Sequence, residues 1–221
     1  MSAKIKCLII AFLVLLVVSG IIWIMFQEVG NKKSPLTPIR VACIGDSITH
    51  GTKYPSDLAM LLGSNYTVEN FGVSGATVRF DSNKPYMNQT AFQNATEFEP
   101  KIVIIMLGTN DANPDLNQST SKFEDDYVTL IRAFQSLESK PRVLIALPPP
   151  VFNNTLGFSP EIFSQNIVPE IELVANKTKL PIIEVYSSLS GHPQYFTDGV
   201  HPTDEGAKII ANITYNMIIS D

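Results

Sequence analysis

Two segments far apart in the chain carry side chains that together could hydrolyse an ester. Ser47 lies in IGDSITHG, directly after the apolar run Val41–Ile44, and Asp198 and His201 lie in DGVHP near the C-terminus. Ester hydrolysis needs a nucleophile, a base, a group that orients the base, and donors for the oxyanion. A short turn would let Asp198 accept a hydrogen bond from His201 Nδ1–H and so set the tautomer of the ring.

Each of these residues also has a purely structural interpretation. Ser47 is expected at the start of a helix, where it could be only an N-cap, and an aspartate three residues before a histidine could simply cap a loop. Ser74, in NFGVSGATV, is a rival nucleophile. Neither serine has a glycine two residues after it, which disfavours the nucleophile elbow of the α/β-hydrolases.

Two further residues are candidate donors to an oxyanion. Asn110 follows the apolar run IVIIML in GTND, and Gly75 directly follows Ser74. The Asn110 side-chain amide and the Gly75 N–H could both donate. The structural alternatives are an Asx turn for Asn110 and a turn with positive φ for Gly75.

Five apolar runs separated by helical patterns predict the elements that position these residues. Four runs are almost continuous, as in a parallel sheet covered on both faces, whereas Glu69 and Asn70 interrupt one and place it nearer an edge. Helical spacing runs from Phe123 to Phe134, and Thr203 could cap a C-terminal helix. The five predicted strands are Arg40–Ile44, Thr67–Phe71, Ile102–Leu107, Arg142–Leu147 and Pro181–Val185.

This alternation predicts an open α/β sheet built from right-handed βαβ units. Such sheets bind ligands outside the carboxyl ends of their strands. Ser47, Gly75 and Asn110 all follow predicted strands closely, and His201 lies in the segment after the fifth. Their placement at one edge of the sheet favours Ser47 as a nucleophile over a simple cap.

The segments GDSITHG, NFGVSGATV, GTND and DGVHP resemble, in order, the four sequence blocks of the SGNH (GDSL-type) hydrolases across residues 39 to 218. The resemblance implies a three-layer α/β/α, flavodoxin-like fold with a five-stranded parallel sheet in the order 2-1-3-4-5. Ile48 stands where many members of the family have leucine.

The resemblance also implies roles for the residues introduced above. Ser47 would be the nucleophile and His201 the base, with Asp198 its partner. The oxyanion hole would consist of the Ser47 N–H, the Gly75 N–H and Asn110 Nδ2.

Three longer segments, NKPYMNQTAF, LPPPVF and GHPQYFTDGVHPTDEGAKIIA, resemble the branch of sialate O-acetylesterases and carbohydrate acetylesterases. This resemblance implies that Tyr86, Pro149 and Phe152 line the acyl or sugar side of the cleft, with ordinary loop packing as the alternative. It predicts a serine esterase that removes short acyl groups, above all acetyl groups, from carbohydrates through an acyl-enzyme. The alternatives are a lipid or lysophospholipid esterase and a non-catalytic glycan-binding relative.

Composition argues against two other classes of function. The formal net charge of the 221 residues is −5, so no basic surface indicates a nucleic-acid partner. The three histidines are scattered without the spacing of metal ligands, so we expect neither a metal nor a cofactor. His50 and His192 are predicted to be loop residues.

The N-terminal region predicts a membrane segment. Residues 7–26 contain no charge and have the length that a bilayer-spanning helix needs. The alternative is a cleaved signal peptide, with Val18-Ser19-Gly20 as the cleavage site. The predicted organisation is a short cytosolic tail at 1–6, a transmembrane anchor at 7–26, a linker at 27–38 and an esterase domain at 39–221.

Seven Asn-x-Ser/Thr sequons predict that the domain lies in the secretory lumen or outside the cell. The alternative is an asparagine-rich composition without glycans. An uncleaved anchor would leave the domain on the membrane with the N-terminus in the cytosol, and cleavage would secrete it. The candidate acceptors are Asn65, Asn88, Asn94, Asn117, Asn153, Asn176 and Asn212.

Overall fold

The computed structural model describes residues 2, 15–23, 37–116 and 120–220, without the side chains of residues 120 and 121. Pro38–Asp221 form one compact unit, and the residues before Pro38 are assigned to a separate one. The compact unit therefore begins one residue before the start predicted for the esterase domain.

A five-stranded parallel sheet forms the centre of this unit, in the order β2-β1-β3-β4-β5. This order confirms the predicted topology. β2 is an edge strand, as its interruption by Glu69 and Asn70 indicated, and these two residues are exposed. The strands are β1 Ile39–Gly45, β2 Tyr66–Gly72, β3 Ile102–Met106, β4 Arg142–Ala146 and β5 Ile182–Ile183.

The prediction for β5 was too long. Only Ile182 and Ile183 pair with β4, because Glu184 leaves the extended conformation at φ −79° and ψ 56°. A helix begins directly afterwards at Val185. An apolar run does not distinguish a strand from the buried first turn of a helix, since both bury the same side chains.

The predicted helices are present, with one irregularity. Ser159 Oγ accepts a hydrogen bond from Ile162 N–H at 3.1 Å, and the helix that begins at Pro160 passes through a π turn at Phe163–Ile167. Thr203 caps the last helix by accepting from Gly206 N–H at 3.3 Å. The α-helices of the unit are Ser47–Gly51, Tyr54–Leu62, Thr90–Glu97, Thr120–Gln135, Pro160–Ile162, Val168–Thr178, Val185–Leu189 and Asp204–Ile219.

The sheet buries one apolar cluster on each face, because successive strand residues point to opposite sides. In β1, Ala42 and Ile44 belong to one cluster, and Val41 and Cys43 to the other. This arrangement produces the three predicted layers. The first cluster includes side chains from Thr90–Glu97, Thr120–Gln135 and Val168–Thr178, and the second from Tyr54–Leu62, Val185–Leu189 and Asp204–Ile219.

The predicted membrane segment falls mostly outside the described residues. Within it, residues 15–23 are helical. Across the parts of the chain that the structure describes, no helix is both long enough and apolar enough to cross a bilayer. Residues 1 and 3–6 of the predicted tail and 27–36 of the predicted linker also lie outside the description.

The side chains of six predicted glycan acceptors are exposed, namely Asn65, Asn88, Asn94, Asn153, Asn176 and Asn212. Asn117 lies outside the described residues. Exposure is a condition for modification and not a sign of it. Glycosylation, and the lumenal or extracellular location inferred from it, stay predictions.

Candidate active site

The carboxyl ends of three strands meet at one edge of the sheet. Gly45, the last residue of β1, pairs with Gly72 of β2 on one side and with Met106 of β3 on the other. The segments that follow these three residues therefore start as neighbours. They carry Ser47, the turn at 73–76 and Asn110.

Ser47 and His201 are in hydrogen-bonding contact although 154 positions separate them in the chain. Ser47 Oγ lies 2.8 Å from His201 Nε2, and His201 Nδ1 lies 2.7 Å from Asp198 Oδ2. An ionised carboxylate only accepts hydrogen bonds, so Nδ1 carries the proton and Nε2 has the free lone pair. Nε2 is therefore placed to accept the hydroxyl proton of Ser47.

The segment Asp198–His201, which we call the histidine turn, supplies most of its own hydrogen bonds. Asp198 Oδ1 accepts from Val200 N–H at 3.0 Å and from His201 N–H at 2.8 Å. Partial burial raises the pKa of Asp198, but the hydrogen bonds from the His201 backbone and ring and from Val200 outweigh it, so the pKa lies below its ordinary value. Asp198 is thus held ionised and oriented towards the imidazole.

Gly199 joins the histidine turn to the loop after β4. Its φ is +85°, and a Cβ built on it would lie 2.4 Å from the carbonyl oxygen of Asn153. Phe152 N–H also donates to Gly199 O at 2.8 Å. The position therefore requires glycine both for its backbone conformation and for the close approach of Asn153.

The candidate oxyanion donor Gly75 lies in a tight turn. Ala76 N–H donates to Val73 O at 3.0 Å, and Gly75, the third residue of the turn, has a φ of +78°. Gly75 N–H donates to no acceptor among the described residues, so it is free to bind a ligand oxygen. Ser47 begins the helix Ser47–Gly51, where backbone N–H groups of the first turn lack partners within the helix.

The Asn110 amide already has acceptors for both of its hydrogens. Asn110 Nδ2 donates to Ala76 O at 3.0 Å and to Asp46 Oδ2 at 3.2 Å. A substrate oxygen could therefore only share one of these hydrogens. The contribution of Asn110 to an oxyanion hole stays a prediction, and its observed contacts join the GTND segment to the turn at 73–76.

Two buried carboxylates were not among the predicted site residues. Asp46, 1% exposed, accepts from Ile48 N–H at 2.9 Å as well as from Asn110, and burial raises its pKa to about 6. Asp111, fully buried, accepts from Val78 N–H at 2.9 Å and Arg79 N–H at 3.1 Å, and burial raises its pKa to about 7.

Asp46, Asn110, Asp111 and the turn Val73–Ala76 form what we call the oxyanion side of the site. Asp46 joins the strand end before Ser47 to Asn110, and Asp111 joins the GTND segment to Val78 and Arg79, which follow the turn. Both aspartates are direct neighbours of predicted site residues, Asp46 of Ser47 and Asp111 of Asn110, and this adjacency was the signal available in the sequence. The sequence did not indicate that they would be buried, because that depends on the segments that cover them.

The predicted substrate-contacting residues are only partly at the surface. Placing Tyr86 in the cleft was wrong: its ring is 1% exposed, it contacts the ring of Phe92 in the core, and its hydroxyl donates to Phe71 O at 2.8 Å. Pro149 is also buried. Phe152 is half-buried beside the histidine turn and packs on Phe196, with ring centroids 4.9 Å apart.

The rival residues lack the contacts that Ser47 has. Ser74 is exposed and makes no hydrogen bond to a histidine of the described residues. His192 is an exposed loop residue whose Nδ1 lies 3.2 Å from Gln194 Nε2. His50 was predicted in a loop but lies in the helix Ser47–Gly51, with Nδ1 3.2 Å from Gly72 O.

The described parts of the chain contain no group of three or more His, Cys, Asp and Glu residues that could hold a metal ion. The sequence-based expectation that neither a metal nor a cofactor is needed stays a prediction.

An open parallel α/β sheet with a serine, a histidine and an aspartate hydrogen-bonded in series at its carboxyl edge defines a hydrolase-like architecture. Residues 43–209 match the model of the GDSL-like lipase/acylhydrolase family, and the chain belongs to this family. The family prediction made from the four sequence blocks is confirmed.

Comparison with known proteins gives one curated relative and several similar structures. The chain is 34% identical, over 220 aligned positions, to an acetylxylan esterase of Xylanibacter ruminicola. The alignment covers 86% of this chain and 46% of the relative, so the chain spans about half the relative's length.

Solved structures share the fold at lower sequence identity. The native aryl esterase of M. smegmatis superposes with a TM-score of 0.67 and 22% identity, covering 82% of this chain and 99% of that one. A carbohydrate acetylesterase from Sinorhizobium meliloti has the same TM-score and coverage at 18% identity. At these identities the likeness concerns the fold.

Proposed function

We propose that this chain is a serine esterase that removes acetyl groups from carbohydrates, with Ser47 as nucleophile. The observation that carries the proposal is the series of hydrogen bonds from Ser47 Oγ through His201 to Asp198, at 2.8 and 2.7 Å. This is the arrangement that a nucleophile, its base and the orienting group of the base require.

In the first half of the reaction, His201 Nε2 takes the hydroxyl proton as Ser47 Oγ attacks the ester carbonyl carbon. The tetrahedral intermediate then collapses, the bond to the sugar oxygen breaks, and His201 returns the proton to that oxygen. Ser47 is left acylated. Asp198 stays ionised throughout and stabilises the imidazolium that forms transiently.

In the second half, a water molecule loses a proton to His201 Nε2 and attacks the acyl carbon. The bond between that carbon and Ser47 Oγ breaks, and Oγ takes the proton back from His201. The acid is released and the free enzyme is restored. Water and ester are the only reactants consumed, so the cycle balances without a co-reactant.

The negative charge of each tetrahedral intermediate would be bound by backbone donors. We assign this role chiefly to the N–H groups of Gly75 and Ser47. The Asn110 amide would share a hydrogen that it now gives to Ala76 or Asp46. Donors fixed in advance towards the developing charge are worth ~10²–10³ in rate each.

An acetylated carbohydrate is supported as the substrate by the acetylxylan esterase relative. The openness of the site agrees with it, since the side chains of His201 and Asp198 are 33% and 36% exposed. A small acyl group on a bulky glycan needs access to the reacting serine more than it needs a deep apolar cavity. The description of the family as lipase or acylhydrolase keeps a lipid ester as the second candidate.

The test combines two nucleophile variants with a substrate series. Wild-type protein should release acetate from O-acetylated xylan, and among aryl esters of increasing acyl length it should prefer the two-carbon ester. Ser47→Ala should lower kcat/KM by ~10⁴-fold or more at an unchanged Tm.

Activity kept in Ser47→Ala but lost in Ser74→Ala would overturn the assignment of the nucleophile. A preference for acyl chains of eight carbons or more, with no acetate released from the glycan, would replace the carbohydrate substrate by a lipid ester. Binding of the acetylated glycan without turnover would make the chain a glycan-binding relative of the esterases.

A further inference from the structure

The turn Val73–Ala76 is of type II. Ala76 N–H donates to Val73 O at 3.0 Å, and Gly75 has a φ of +78°. Ser74 is not among the residues with positive φ, which excludes the type I′ turn, where both central residues have positive φ. Positive φ at the third residue alone is the mark of type II.

The middle peptide of this turn carries the candidate oxyanion donor. It contains Ser74 C=O and Gly75 N–H, which point in opposite directions because the peptide is planar and trans. Rotation of this peptide by about half a turn would convert type II into type I and reverse both groups. Glycine tolerates either conformation, so Gly75 by itself does not determine the direction of its N–H.

A lysine contacts the carbonyl end of the same peptide. Lys84 Nζ donates to Ser74 O at 2.9 Å, and its Cδ lies 3.8 Å from the point where a Cβ on Gly75 would be. Lys84 is exposed and forms no ion pair with a carboxylate of the described residues. Among the described residues, the acceptor that the Lys84 ammonium group contacts is therefore the Ser74 carbonyl.

The backbone of Lys84 is held close to the turn. Thr77 N–H donates to Lys84 O at 3.0 Å, and Tyr86 N–H donates to Thr77 O at 2.9 Å. Thr77 is only two residues beyond Gly75. This pairing holds the Lys84 backbone beside the turn, so the Lys84 side chain can reach Ser74 O.

We propose that Lys84 is a positioning residue that holds the Ser74–Gly75 peptide in the orientation in which Gly75 N–H is an oxyanion donor. The inference rests on the proposed function, which makes Gly75 such a donor. A hydrogen bond from an ammonium group to a carbonyl is charge-assisted and stronger than a neutral one. It also polarises the peptide, which strengthens the N–H at the other end as a donor.

The test compares Lys84→Met with Lys84→Arg. Methionine keeps most of the aliphatic chain but removes the charge and the donor. We expect kcat on a neutral acetyl ester to fall about tenfold in Lys84→Met, which is less than loss of a whole oxyanion donor because the correct orientation stays populated. KM should change less than about twofold, and Lys84→Arg should restore most of the activity, since its guanidinium also donates.

A matched control lies near the amino ends of the strands, at the opposite end of the sheet from the site. Lys101, directly before β3, is also exposed, and its Nζ donates to Ser139 O at 2.9 Å. Lys101→Met removes the same kind of hydrogen bond away from the site. We expect its kcat and KM to equal those of wild-type protein.

A second measurement uses Gly75→Ala, which disfavours the positive φ of the type II turn. Lys84→Met should cost much less activity in the Gly75→Ala background than in wild-type protein, because both changes release the same peptide. The affinity for a boronic acid, which forms a tetrahedral adduct with a reactive serine, should fall in parallel with kcat/KM.

Three outcomes would overturn the inference. The first is an unchanged kcat in Lys84→Met. The second is an effect confined to the KM of anionic substrates, which would make Lys84 a substrate-binding residue. The third is strict additivity of the effects of Lys84→Met and Gly75→Ala. If Ser47→Ala retained full activity, the proposed function would fail first. If Ser47→Ala is inactive and Lys84→Met is normal, only the role of Lys84 is refuted.

Discussion

The histidine turn and the oxyanion side hold their aspartates in opposite environments. Asp198 takes its hydrogen bonds from residues two and three positions away and stays about one-third exposed. Asp46 and Asp111 are buried and accept hydrogen bonds from distant segments of the chain. Asp46 and Asn110 are 64 positions apart, and Asp111 and Val78 are 33 positions apart.

The same side chain therefore has opposite pKa shifts in the two regions. Hydrogen bonds within the turn lower the pKa of Asp198 and outweigh its partial burial. Burial dominates at Asp46 and Asp111 and raises their pKa values to about 6 and about 7. The histidine turn thus stabilises the ionised form of Asp198 beside His201. On the oxyanion side, burial disfavours the ionised forms of Asp46 and Asp111, and their hydrogen bonds join distant segments of the chain.

The largest effect should follow from removing the imidazole of the histidine turn. We expect His201→Ala to lower kcat by ~10⁴-fold, since no described group other than His201 is placed to take the Ser47 proton. The Tm should barely change, because the side chain is one-third exposed and its contacts are local. Steady-state kinetics and thermal unfolding test this. His192→Ala is the control, and equal losses in both variants would contradict the assignment.

An intermediate effect should appear in the pH dependence of stability, and it should come from the oxyanion side. The folded pKa of Asp111 is about 7 against an ordinary 3.8, so the folded state binds its proton more tightly than the unfolded state. Its contribution to the free energy of unfolding is fully present below about pH 4 and is lost as the pH rises through about 7, by a total on the order of 4 kcal/mol.

Asp111→Asn removes this titration. The free energy of unfolding of the variant, relative to wild-type protein, should therefore increase between about pH 4 and pH 7. Denaturant unfolding at several pH values measures it. Asp198→Asn is the contrast: the pKa of Asp198 is lowered, so its contribution changes only below about pH 4. Parallel curves for wild type and Asp111→Asn would show that this carboxylate does not titrate as the buried geometry requires.

The smallest of these effects should come from Gly199, where the histidine turn contacts the loop after β4. Gly199→Ala combines a positive φ with a Cβ 2.4 Å from Asn153 O, so the turn must shift. We expect kcat to fall about tenfold, because small displacements of a catalytic base are costly. Gly157→Ala is a matched control, with a φ of +86° and open space around its Cβ.

Gly157→Ala should cost only the backbone strain of about 1–2 kcal/mol and leave kcat unchanged. Comparison of the two variants by activity and unfolding separates the effect of the contact from the effect of backbone conformation. A normal kcat in Gly199→Ala would mean that the turn holds His201 in place without the support of the neighbouring loop.

The parts of the fold predicted correctly are those with a strong local pattern. Continuous apolar runs located β1, β3 and β4, and Thr203 marked the start of the last helix. β5 was overestimated because Val185 is buried in a helix rather than a strand. Tyr86 was misplaced because an aromatic residue in a polar loop looks the same whether it lines a cleft or, as here, donates to Phe71 O in the core.

By itself, the sequence determined the four blocks that identify the family and the spacing of Asp198 and His201, because a four-residue turn is decided by local geometry. It also determined the parallel sheet, whose buried strands need apolar side chains on both faces. The tertiary structure alone decided that Ser47 Oγ lies 2.8 Å from His201, that Asn110 gives its hydrogens to Ala76 and Asp46, and that Lys84 lies against Ser74 O. These contacts join residues that are adjacent only once the chain has packed, so no local pattern encodes them.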